Sequence, residues 1–128
     1  MVVGRITKKI ERETNGEIKS GDIRIDAYHL ESHIPEAHEK ELIQLGIDPL
    51  AYIKYIVENF TEIRVGSAKS YMLVCPHNKP YLKNIAAVTL EFAYVKNNKG
   101  ENYYWLVRTA QPRPINRLEK RKLIWSKK

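Results

Sequence analysis

The stretch "IDPLAYIKYIVENF" constrains this chain most, because it sets one helix and marks the point at which the apolar period changes. Asp48 is placed to cap a helix and Pro49 to occupy its first position, where a missing N–H costs nothing. Leu50, Ile53, Ile56, Val57 and Phe60 then recur at helical spacing, which makes this a core-facing helix. After Phe60 the apolar period changes from 3.6 to two. "EIRVG", "SYMLVC", "NIAAVTLEFAYV" and "NYYWLVRTA" read as four strands, with "KNNKGE" as the hairpin loop between the last two.

Upstream, "GEIKSGDIRID" reads as short extended segments, and residues up to about Glu13 read as a helix or the end of a linker. A further helix is expected from near Ser32, with Pro35 in its first turn, to Gly46. Helices first and an antiparallel meander afterwards predict an α+β fold, with N-terminal helices packed on one face of a roughly four-stranded antiparallel sheet. At 128 residues without a Pro/Gly-rich linker or repeat, residues 1–128 are expected to form a single domain.

No apolar run approaches the roughly 20 residues that a bilayer crossing needs, and the apolar stretch at the start is too short for a signal peptide. A cytoplasmic protein without membrane contact is the resulting expectation. The single cysteine, Cys75, lies in an apolar strand-like run and reads as a buried structural thiol.

Charge is segregated. The chain carries 22 Lys and Arg against 15 Asp and Glu, a net charge of +7. Between Arg113 and Lys128 there are seven basic residues and one acid, Glu119, while the preceding 112 residues are almost neutral. A basic C-terminal tail of this kind suits a polyanion, whose phosphates it neutralises with release of counterions. Arg113, Arg117, Lys120, Arg121 and Lys122 are the candidate RNA-binding cations, and Trp125 among them is a candidate to stack on a base. A solvated tail that only maintains solubility is the alternative.

Three of four histidines fall in "HLESHIPEAH". On a helical wheel Ile34, Leu42 and Leu45 form the apolar stripe and His38 lies among them, whereas His33 sits about 140° away or in the entry turn. Taken by themselves, these histidines are better accounted for by a hydrogen-bonded core histidine with surface neighbours than by an acid-base pair, because partly buried histidines are commonplace. Metal binding ranks third: there is no second cysteine and no HExxH, and His33 and His38 lack the i, i+4 spacing of two ligands on one helix. His77, in "CPHNKP", reads as a loop residue.

The order of "HIPEAH" at a helix start, the "DPLAYIKYIVENF" helix, the "IRVG" strand and the late "YYWLVRTA" strand resembles the phage and polymorphic-toxin nucleases of the barnase/EndoU/colicin/RelE superfamily, over roughly residues 16–112. The resemblance implies a small ribonuclease needing no cofactor and no metal, deployed as a toxin and restrained by an acidic immunity protein or antitoxin. It implies catalytic residues at His33 and His38 from the helix and Arg108 and Thr109 from the last strand, acting on RNA such as tRNA or rRNA.

The chemistry suits those residue types. Attack of a ribose 2′-OH on the adjacent phosphate, giving a 2′,3′-cyclic phosphate, needs a base, an acid and groups that hold the phosphoryl oxygens. Histidine titrates near neutrality, Arg108 can clamp a phosphate bidentately and Thr109 can donate a hydrogen bond. Strict alternation, however, sends Arg108 and Thr109 to opposite faces unless the strand bulges there. A non-catalytic nucleic-acid-binding module, supported by charge and the aromatic "NYYWLV" strand, and a phage-associated interaction protein are the alternatives.

Overall fold

The computed structural model describes residues 2–25, 49–66, 69–75, 86–96 and 103–127. In chain order these form β1 (Val2–Ile6), α1 (Lys8–Glu13), β2 (Gly21–Arg24), α2 (Pro49–Asn59), β3 (Glu62–Val65), β4 (Tyr71–Cys75), β5 (Ala86–Lys96), β6 (Tyr103–Pro114), the single turn α3 (Ile115–Leu118) and β7 (Leu123–Ser126).

Local chemistry fixes the short elements. The Thr7 hydroxyl accepts from the Ile10 amide at 3.3 Å and so caps α1. The helix ends where Asn15 and Gly16 take positive φ values of 53° and 81°, which an asparagine and a glycine adopt at little cost. In α2, Tyr52, Ile53, Ile56 and Val57 are buried along one side, as the 3.6-residue spacing requires.

All seven described strands join one sheet in the order β1-β2-β6-β5-β4-β3-β7, curled into a half-barrel. This corrects the expected fold, helices on a four-stranded antiparallel sheet, in three places. Residues 2–6 form an edge strand rather than a helix or linker. The basic C-terminal segment supplies the opposite edge strand, and β2 joins β6 in parallel, Ile23 beside Trp105, between antiparallel neighbours. The strand-like stretches downstream of α2 do become β3, β4, β5 and β6, but they are the middle of a larger sheet.

The inner face of the curl carries the main core. Ile6, Ile10, Ile23, Tyr52, Ile53, Ile56, Ile63, Leu73, Leu90, Phe92, Trp105 and Val107 form one buried cluster, in which α1 and α2 meet the sheet. Close approach of α2 to β1 depends on Gly4, because a Cβ there would overlap the Val57 side chain.

The register assigns the other side chains to the outer face. Leu73 pairs with Leu90 on the inside, so Met72 with Glu91 and Val74 with Thr89 face outward. Tyr94 pairs with Trp105 inside, so Val95 with Tyr104 and Ala93 with Leu106 face outward. To travel from β6 to β7 the chain crosses β5, β4 and β3 on this outer side. There Leu118 closes a second, small core with Met72 and Val74.

Candidate nucleic-acid interface

The outer face is divided in two. Over β4 and β3 the crossover covers it: Arg64 Nη1 donates to the carbonyls of Leu118 (3.3 Å) and Arg121 (2.9 Å), and its Nε donates to Glu62 at 2.8 Å. Thr89 and Glu91, outward on the first half of β5, are buried as well, and the cover is partial only over the far end of β5, the start of β6 and β2. Ala93, Val95, Tyr104 and Leu106 are each half-buried, and Arg24 on β2 is exposed. The Arg24 guanidinium lies 4.8 Å from the Tyr104 ring centroid and 3.5 Å from Asp22, both partners of the ion pair being well exposed.

Arg108 and Thr109 occupy a β-bulge. Phe92 pairs with Val107 and Glu91 with Thr109, leaving Arg108 as the extra residue of β6. The bulge preserves the core: Trp105, Val107 and Ala110 are all buried, although strict alternation would have turned Ala110 outward. Arg108 is exposed. The strict alternation that would set Arg108 and Thr109 on opposite faces is therefore broken here, and the effect of the bulge is to release Arg108 from the ladder.

The basic C-terminal segment is part of the fold, as the end of β6, the crossover and β7, and its residues divide by role. Arg117, Lys120 and Lys122 are exposed on the crossover, whose Leu118 is anchored on the outer side of the sheet. Arg121 is half-buried, and its Nη1 donates to the Gly66 carbonyl at 3.1 Å. Trp125 pairs with Ile63, tilts against Phe60 at 5.7 Å, and donates its indole N–H to Glu13 at 3.1 Å. The indole that was a candidate base-stacking group is thus engaged in packing β7. Arg113 pairs with Ala87 near the end of β6.

His29, His33, His38 and His77 lie outside the described residues, and the expected helix from Ser32 to Gly46 lies there too. Among the described residues no cluster of His, Cys, Asp or Glu has the makings of a metal site. Cys75 is 2% exposed, with burial pushing its thiol pKa up to about 12 and its sulfur 4.0 Å from the Ile56 carbonyl. That environment belongs to a packed, unreactive thiol. Among the described residues no helix is long and apolar enough to cross a membrane.

Comparison with protein families, with curated proteins and with solved structures returned no match for this chain.

Arg24 is the residue that the sequence did not single out. Alternation in "GDIRID" places it opposite Ile23 and Ile25, but its position beside Tyr104 arises from the parallel pairing of β2 with β6, separated by some eighty residues of chain.

Proposed function

We propose that this chain binds RNA on the outer face of its sheet. The observation that carries the proposal is the shared side of two features: the half-covered Tyr104 and Leu106 with Arg24 above the tyrosine ring, and the crossover that presents Arg117, Lys120 and Lys122. Aromatic and apolar sheet surface offers stacking to bases while flanking cations neutralise phosphates. The test is RNA affinity of the chain carrying Arg117→Glu, Lys120→Glu and Lys122→Glu together. Loss of binding by tenfold or more, roughly uniform across sequences, is expected for three phosphate contacts reversed. Unchanged affinity would remove the crossover from the interface.

A second reading, metal-independent cleavage of the bound RNA, is favoured by one observation: the bulge at Arg108. Bulges re-aim side chains beside active sites, and an exposed guanidinium freed from the ladder can hold a phosphate. In this reading His33 and His38 supply the base and acid, Thr109 assists Arg108, and an acidic immunity protein or antitoxin covers the same cations. Incubating RNA with the protein in chelator tests it. Fragments with 2′,3′-cyclic phosphate ends from wild type, and none from folded His38→Ala, support cleavage; intact RNA leaves binding alone.

A further inference from the structure

β6 has an aromatic side chain on each face at its start, and the inner one belongs to a different surface. Tyr103 is 52% exposed and lies nearly parallel to Tyr94, with centroids 5.1 Å apart and planes 14° apart. Tyr94 packs on Trp105 at 4.8 Å, and Trp105 in turn stacks on Phe92 at 4.4 Å. Trp105 is 1% exposed and its indole N–H donates to the Lys19 carbonyl at 2.8 Å. A rigid column of rings therefore runs from the main core to the surface and ends at Tyr103. The Lys96 ammonium lies 5.8 Å from the Tyr103 centroid.

Exposed tyrosines of this kind are costly to leave bare and cheap to use, because a ring already held by its neighbours loses little freedom on binding. Consecutive strand residues face opposite ways, so Tyr103 with Lys96 sits on the inner side and Tyr104 with Arg24 on the outer side of one sheet end. Each pairs an aromatic ring with a cation, the combination that accepts a base and its phosphate.

We propose that Tyr103, backed by Tyr94 and flanked by Lys96, is a second stacking site for nucleotides, and that the RNA this protein takes is single-stranded. The inference rests on the RNA-binding reading and narrows its substrate to unpaired nucleotides. A duplex buries its base faces and cannot stack on tyrosines at opposite sides of a sheet. A strand with unstacked bases can do both.

The test measures binding of the full chain to an oligouridylate of about ten nucleotides and to a blunt RNA duplex of the same length. Tyr103→Ala should weaken oligouridylate binding about tenfold, and Tyr103→Phe, which keeps the ring, should stay within about twofold of wild type. Duplex affinity should be lower than oligouridylate affinity and the same for all three proteins. Lys96→Gln should reduce the salt dependence of oligouridylate binding.

Wild-type-like affinity of Tyr103→Ala would overturn the second site, and if the Arg117, Lys120 and Lys122 charge reversal still abolished binding, the outer-face reading would stand without it. Equal wild-type affinity for strand and duplex would overturn the narrowing to unpaired RNA. A wild type that binds neither probe would overturn both proposals. Dissociation of an oligomer by Tyr103→Ala, with RNA binding unchanged, would reassign the tyrosines to contact between copies of the chain.

Discussion

The indole of Trp125 in the last strand donates a hydrogen bond of 3.1 Å to the Glu13 carboxylate at the end of the first helix. β1 and β7 are the two edges of the sheet, and this contact links the helix next to one edge with the strand that forms the other. Phe60, just beyond α2, packs tilted against the Trp125 ring. The curled sheet is thus held across its open side by side chains rather than by strand pairing. A cleft of about 330 Å³ lined by Glu13, Ile124, Trp125 and Ser126 marks the seam.

Trp125→Ala should therefore lower stability as well as any RNA affinity. A fully buried aromatic ring truncated to alanine costs about 3–5 kcal/mol, and the half-buried position of Trp125 brings the expected loss to about 2 kcal/mol. Trp125→Phe should recover most of it, since the contact with Phe60 survives. Urea denaturation reads both; an unchanged midpoint for Trp125→Ala would mean that β7 does not depend on this contact.

Gly4→Ala should destabilise the fold by about 1–3 kcal/mol, because the added Cβ occupies space held by the Val57 side chain and α2 must shift away from β1. Combining it with Val57→Ala should cost less than the sum of the two single changes. Additive losses in a double-mutant cycle would show that the two positions do not compete for the same volume.

Arg64 is the anchor of the crossover: half-buried, it serves two main-chain carbonyls of the 118–121 turn. Arg64→Ala leaves those carbonyls without that donor, at a cost of about 1–3 kcal/mol. The amides of Val65 and Lys127, which bond across β3 and β7, should exchange hydrogen faster in the variant than in wild type. Exchange accelerated only in β1 or α1 would contradict that role.

Cys75 gives a pH dependence with a definite sign. Its ordinary pKa of 9.0 is raised to about 12 in the fold by burial, so between those values the unfolded chain loses the thiol proton and the folded chain keeps it. The thiol's contribution to stability is complete below pH 9 and is lost as pH rises through about 12. Tyr71 and Tyr94 are raised in the same direction, chiefly by burial, so the signature is the difference from a control. The Cys75→Val variant should lose stability less steeply above pH 9 than wild type. Parallel curves would mean that the thiol reaches solvent.

What was legible in the sequence was local. α2 comes from Pro49 and the 3.6-residue stripe, and β5 and β6 from long period-two runs, because each pattern is decided by neighbours in the chain. β1 was obscure because "VVGRI" has one fully buried residue, Ile6, and no alternation. β7 was hidden inside a run of cations: "LIWS" is a strand because Ile63 and Phe60 receive Trp125, a partnership more than sixty residues distant. Charge density identified the segment as a surface for polyanions but gave no warning that it also forms a sheet edge.

In the candidate site the cations were legible as a group, and their division was not. Arg121 and Trp125 became structural through contacts with Gly66 and Glu13 that no local rule foresees. Conversely, alternation sets Arg108 and Thr109 on opposite faces of a regular strand, and the bulge marked by the offset pairing of Glu91 and Phe92 breaks that alternation through a cross-strand register that the sequence does not show. Arg24 beside Tyr104 depends on a parallel pair of strands some eighty residues apart in the chain.

Binding of RNA at the outer face, through Tyr104 and the crossover cations, is addressed most directly by one titration series. Affinity for single-stranded RNA is measured for wild type and Tyr104→Ala from about 50 to about 200 mM salt. Log affinity of wild type should fall linearly with log salt. Tyr104→Ala should weaken binding about tenfold at every salt with the slope unchanged, since a base contact is lost and phosphate contacts are kept. Wild-type affinity that is absent or indifferent to salt, or a Tyr104→Ala variant that binds as wild type does, would contradict RNA binding at this face.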